Sequence, residues 1–157
     1  PWQKGIANYS HEEGIRFNSA VFAILGSNHI IEQRLWSGQA KILLPLLDEA
    51  RRNCCNFLIH QFKDWPNYIK SEMNKDGPNY TKSEINKEDM EAIELGFAEF
   101  WIIEKFLNSK PMHRKTADCI RELRLKRNKL AHYKALSGNE FCYVLDQVES
   151  LRKDINF

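Results

Sequence analysis

The sequence predicts an all-α protein, an up-and-down bundle of four to five helices. Apolar residues recur at helical spacing along the chain, and no stretch sustains the period-two, β-branched alternation that strands need. The punctuation agrees. Ser10-His-Glu-Glu13 and Ser137-Gly-Asn-Glu140 both match the capping-box pattern, in which a hydroxyl and a carboxylate satisfy free N–H groups at a helix start.

The first box opens a helix near residue 11 that carries Ile15, Ala20, Phe22 and Ile24 toward Gly26. A long tract follows from Ile30 to Phe62. Its Ile31, Leu35, Ile42, Leu46, Ala50, Cys54 and Phe57 step by three, four or seven residues. Pro45 cannot donate to the carbonyl of Lys41, so a kink or a break is expected there. Residues 64–87 are different material. Pro66-Asn-Tyr-Ile-Lys-Ser-Glu-Met-Asn-Lys75 recurs as Pro78-Asn-Tyr-Thr-Lys-Ser-Glu-Ile-Asn-Lys87, with eight of ten positions identical. Two units are too few to bury a repeat core, so 64–87 reads as a duplicated polar loop inserted at the surface.

Asn86 is placed to cap the next helix, with Asp89 near the positive end of its dipole. Met90, Ile93, Phe97, Phe100, Trp101 and Phe106 give that helix a broad apolar face through about Leu107. Asn108-Ser-Lys-Pro111 interrupts, and another helix starts within 112–117 and runs to about Tyr133. The second capping box opens the last helix, whose Phe141, Val144, Leu145, Val148, Leu151 and Ile155 are expected to face the core.

The chain has 157 residues, 43% hydrophobic and 28% charged, which suits one helical domain over 1–157. Seven Gly and five Pro exclude a collagen-like or Pro/Gly-rich disordered chain. No apolar run is long enough for a membrane span, so no membrane association is expected. Pro-Trp-Gln-Lys-Gly at the start lacks the apolar stretch of a secretory signal. The chain has no initiator Met, which reads either as trimming before Pro1 or as a domain cut from a longer protein. Cys54, Cys55, Cys119 and Cys142 form no C-x-x-C pair and no His lies at zinc-finger spacing from them. They read as small core hydrophobes in a reducing compartment, and the expected location is cytoplasmic.

The formal charge of +2 hides an asymmetry: residues 110–134 carry +7 and the remainder carries −5. A local basic stripe draws a polyanion to one place, while the competing reading is a solvated helix face. Within it, Arg121, Arg124, Asn128 and His132 stand at steps of three, four and four, and Arg127 lies beside them. Ile120, Leu123, Leu130 and Ala131 are the candidates for the buried side. Arg127 and His132 are about 140° apart on a regular helix, so they line two sides of a groove or converge with copies from a second subunit.

An arginine keeps its charge and offers a planar fork to phosphate oxygens, and a histidine moves a proton near neutral pH. The combination suits attack of a ribose 2′-hydroxyl on the adjacent phosphate. The His serves as general base or acid and the Arg stabilises the phosphorane charge. Asn128 is one turn before His132, within reach of the imidazole or a ligand oxygen. The nucleophile belongs to the RNA, so the chemistry needs no metal or cofactor. Arg121, Arg124, Lys126, Lys129 and Lys134 are candidate contacts to the phosphates of single-stranded RNA. Tyr133 is a candidate for base stacking, with core packing as its alternative. Asp48, Glu49, Arg51 and Arg52 read as surface charge or a dimer-facing cluster. No Gly-rich phosphate loop occurs, which disfavours an ATPase, kinase or dinucleotide enzyme.

Arg127-Asn-Lys-Leu-Ala-His132 resembles the signature of HEPN domains (higher eukaryotes and prokaryotes nucleotide-binding), best over residues 117–155. The resemblance implies a helical bundle that forms a homodimer, with two Arg–His motifs meeting in a composite cleft. In active members it implies metal-independent endoribonuclease activity that leaves 2′,3′-cyclic phosphate ends. By motif match Arg127 and His132 are the catalytic pair and Asn128 the polar position beside the Arg. Toxin or antiviral effector roles, with a regulatory protein or flanking domain, are common in the family. Toxin members paired with a nucleotidyltransferase antitoxin carry a modified Tyr two positions after the His. Here that position is Lys134, and Tyr133 follows the His directly. Other members are non-catalytic modules for interaction, assembly or RNA binding, which is the alternative function.

Overall fold

The computed structural model describes residues 7–12, 14–76 and 98–155. The principal elements are helices, and the long ones pack as the bundle that the periodicity predicts. A two-stranded antiparallel hairpin precedes them: β1 (Ala7–Ser10) and β2 (Gly14–Phe17), in the register Ala7 to Phe17 and Ser10 to Gly14. This corrects the helix expected from residue 11. Ser10 and Gly14 close the hairpin ladder, and Gly14 takes φ +68°, a conformation that costs a glycine little. Each strand is four residues, too short for alternation to stand out. Asn18 then caps α1 (Ser19–Ile24) by accepting from the Ala20 N–H at 3.0 Å. No residue of α1 is buried, and Ala20 and Ile24 are exposed.

Helix α2 (Asn28–Gln61) runs through Pro45 without a break. Its buried stripe is Ala40, Leu43, Leu47, Ala50, Cys54 and Leu58, and Leu35 and Ile42 are exposed. Ala50 and Cys54 are buried as expected, whereas Leu43, Leu47 and Leu58 take the core positions expected of their neighbours Ile42, Leu46 and Phe57. Arg51 is buried on this face rather than a surface charge. It donates to Asp48 Oδ1 at 2.7 Å and to the Ala98 carbonyl at 3.0 Å.

Helix α3 (Trp65–Asp76) corrects the loop assignment for the first copy of the duplication. Pro66 sits in the first turn, where its missing N–H costs nothing. Trp65, Ile69 and Glu72, at steps of four and three, are buried, and Glu72 pairs with Lys105. The second copy, and the expected Asn86 cap with Asp89, Met90, Ile93 and Phe97, lie outside the described residues. Helix α4 (Phe100–Asn108) starts only at Phe100, because Glu99 is extended (φ −68°, ψ 152°), so no helix continues through 98–99 as expected.

A 3₁₀ turn at Pro111–His113 leads into α5 (Arg114–Ala131), and α6 (Gly138–Asp154) closes the bundle. The core joins α2, α4, α5 and α6 through Leu43, Leu47, Ile103, Phe106, Ile120, Leu123, Val144 and Val148. Leu145 is exposed, against expectation, because it lies about 100° from Val144 on α6. Cys54, Cys55 and Cys119 are buried free thiols, and Cys142 is exposed rather than in the core. Burial pushes the Cys55 and Cys119 thiols up to about 11, so neither is a thiolate near neutral pH.

Candidate functional site

Helix α5 turns one side to the core through Thr116, Ala117, Ile120, Leu123 and Leu130. Arg127 falls on that same stripe, four residues after Leu123 and three before Leu130. It is half-buried and faces a recess of about 310 Å³. Leu44, Asp48 and Arg51 of α2, Phe100 of α4 and Ala131 complete most of its wall. Ala131 is therefore exposed on this recess, not packed in the core as expected. Asp48 is engaged by Arg51 at 2.7 Å and Arg52 at 3.5 Å. Arg127 Nη1 makes a long 3.4 Å bond to Asn128 Oδ1, so Asn128 touches the guanidinium and not the imidazole.

His132 is the C-cap of α5 and is exposed. Among the described residues its imidazole has no hydrogen-bond or ion-pair partner. The chain leaves the helix through a Schellman turn. The Tyr133 N–H donates to the Leu130 carbonyl and the Lys134 N–H to the Lys129 carbonyl, both at 3.1 Å. Tyr133 takes φ 59°, the position that glycine usually fills.

Three anchors hold this turn. Trp36 Nε1 donates to the Leu130 carbonyl at 2.7 Å. Gln39, buried in α2, spans the backbone of buried Leu136: its Nε2 donates to the carbonyl at 2.9 Å and its Oε1 accepts from the N–H at 2.7 Å. The Ser137–Glu140 capping box forms in full, as the sequence predicts. Glu140 also receives Lys129 at 2.8 Å and Lys126 at 3.1 Å. The Lys129 bond, the Ser137 N–H and the Lys126 bond hold its carboxyl down at about 2.

The remaining basic residues divide. Arg124 pairs with Glu104 at 2.9 Å, and Lys126 and Lys129 share Glu140, so these three are spent on ion pairs within the bundle. Arg121 and Lys134 are exposed and have no ion-pair partner among the described residues. Trp36 and Gln39 escape a sequence reading because they stand 94 and 97 residues before the backbone groups they hold.

The model of the Swt1-like HEPN family matches residues 55–156. The chain belongs to this family. No curated protein and no solved structure matches it. The HEPN match takes in the end of α2, all of α3 to α6, and the whole Arg127–His132 motif. Trp36 and Gln39 precede it, so the HEPN motif turn is anchored by residues outside the matched region. No helix among the described residues is long and apolar enough to cross a membrane.

Proposed function

We propose that this HEPN domain is a metal-independent endoribonuclease for single-stranded RNA, with its site completed at a homodimer interface. The observation that carries the reading is Arg127: a guanidinium on the core-facing stripe of α5, open to a recess, five positions before an exposed His132 that has no partner among the described residues. An arginine on such a stripe gives up hydration that an apolar residue would not need, which a role toward an anion accounts for.

In the reaction the His132 imidazole accepts the proton of a ribose 2′-hydroxyl. The 2′ oxygen attacks the adjacent phosphorus, and the bond from phosphorus to the 5′ oxygen breaks. A second imidazole, in its protonated form, supplies the proton to the leaving 5′ oxygen. Arg127 neutralises the charge that grows on the phosphorane. Asn128, beside the guanidinium, orients it. Two copies of the chain supply the two imidazoles and close the angle between Arg127 and His132. Of the candidate phosphate contacts, Arg121 and Lys134 have no ion-pair partner among the described residues, and they hold the flanking phosphates. Work in the cytoplasm as a toxin or antiviral effector accords with the family.

The test uses an RNA with one 2′-O-methyl ribose. Cleavage stops at that bond alone and continues elsewhere, with cyclic phosphate ends, if the 2′ oxygen is the nucleophile. Unchanged cutting at the methylated position removes the mechanism.

A second reading is a non-catalytic module for interaction, assembly or RNA binding. The internal pairing of Arg124, Lys126 and Lys129 favours it, because it leaves less free positive charge for substrate. Binding that survives His132→Ala, with no RNA product at any protein concentration, selects this second reading.

A further inference from the structure

We propose that Trp36 and Tyr133 form a stacking subsite for one nucleobase of the RNA, next to the phosphodiester that His132 serves. The proposal rests on the ribonuclease reading and adds which part of the substrate is gripped: the flat face of a base.

Tyr133 is an aromatic residue at a backbone position that favours glycine, with φ 59°. It is 77% exposed, so its ring is not there to fill the core. Trp36 lies behind it, with ring centroids 4.8 Å apart and planes tilted by 49°. The indole is itself fixed through its bond to the Leu130 carbonyl. A fixed ring thus backs a second ring whose outer side is open to solvent. A third aromatic plane would extend the pair, and every base offers one.

The surroundings suit a nucleotide. The two rings border a cleft of about 700 Å³ that His29, Glu32, Gln33, Lys134, Leu136 and Ser137 also line. Lys134, exposed and without an ion-pair partner among the described residues, brings an ammonium to the cleft for a phosphate. Gln33 and Ser137 offer polar groups to a base edge. Tyr133 directly follows His132 in the chain, so the stacking ring and the imidazole leave the same helix-ending turn. Stacking tolerates any base, so the subsite positions the strand without selecting a sequence.

The test is fluorescence anisotropy with a short single-stranded RNA that is 2′-O-methylated at every ribose, which keeps bases and phosphates but cannot be cut. Tyr133→Gly suits the backbone at this φ and should fold, as a thermal melt will show. It is expected to weaken binding about tenfold, while Tyr133→Phe stays within about twofold of wild type. An oligonucleotide of the same charge with abasic sites should bind wild type about tenfold more weakly and lose nothing further in Tyr133→Gly. Equal affinity of wild type and Tyr133→Gly for the base-bearing oligonucleotide overturns the subsite. If the Tyr133 effect is present but wild type never cuts unmodified RNA, the subsite stands and the nuclease reading falls. If wild type cuts and Tyr133→Gly binds and cuts equally, the subsite alone falls.

Discussion

The indole N–H of Trp36 donates to the carbonyl of Leu130 at 2.7 Å, joining α2 to the last turn of the basic helix across 94 residues of sequence. The carbonyl already accepts from the Tyr133 N–H in the Schellman turn, and the indole gives it a second donor, two positions before His132. Trp36→Phe keeps most of the ring and loses this donor. The expected cost is about 1 kcal/mol, or a fall of about 2–4 °C in melting temperature. An unchanged melting temperature would show that water replaces the indole at no cost.

Gln39 does more, because both of its bonds end on the buried backbone of Leu136. Gln39→Leu leaves that N–H and carbonyl without partners away from water. A loss of about 2–4 kcal/mol is expected in chemical denaturation. A loss near zero would mean that the turn re-forms its bonds elsewhere.

Glu140 ties the start of α6 to Lys126 and Lys129, and its carboxyl is lowered from 4.5 to about 2. A carboxyl lowered on folding stabilises the fold fully above its unfolded value. That contribution fades as pH falls from about 4.5 toward 2. Stability should drop over this acid window in wild type and drop less in Glu140→Gln. Parallel pH curves for the two proteins would refute the linkage.

The division among the basic residues predicts which of them read phosphate. Arg121→Ala and Lys134→Ala should each reduce the salt slope of single-stranded RNA binding by about 0.7. Arg124→Ala breaks the pair with Glu104 and should act mainly on stability. A larger salt effect from Arg124→Ala than from Arg121→Ala would reverse this assignment.

The bundle, the basic α5, the capping box of α6 and the Arg127–His132 motif were legible because each is written in local spacing. The hairpin at Ala7–Phe17 was not, since its strands are short and the Ser10–Glu13 pattern also fits a helix start. Trp65, Ile69 and Glu72 already stood at helical steps, but the polar repeat around them read as a loop. The spacing set Arg127 beside the face of Arg121, Arg124, Asn128 and His132, and its place on the buried stripe between Leu123 and Leu130 emerged only with the packed helix. What it opens onto depended on Asp48, Arg51 and Phe100 arriving from other elements. Likewise the pairing of Lys126 and Lys129 with Glu140 required α5 and α6 to be set side by side.

Under the proposed function, Arg127 and His132 act on one phosphodiester. The most direct test is cleavage of single-stranded RNA in EDTA by wild type, Arg127→Ala and His132→Ala, each first shown to be folded. Product from wild type and none from either variant is the predicted result. Equal product from all three, or none from wild type at high protein concentration, would contradict it.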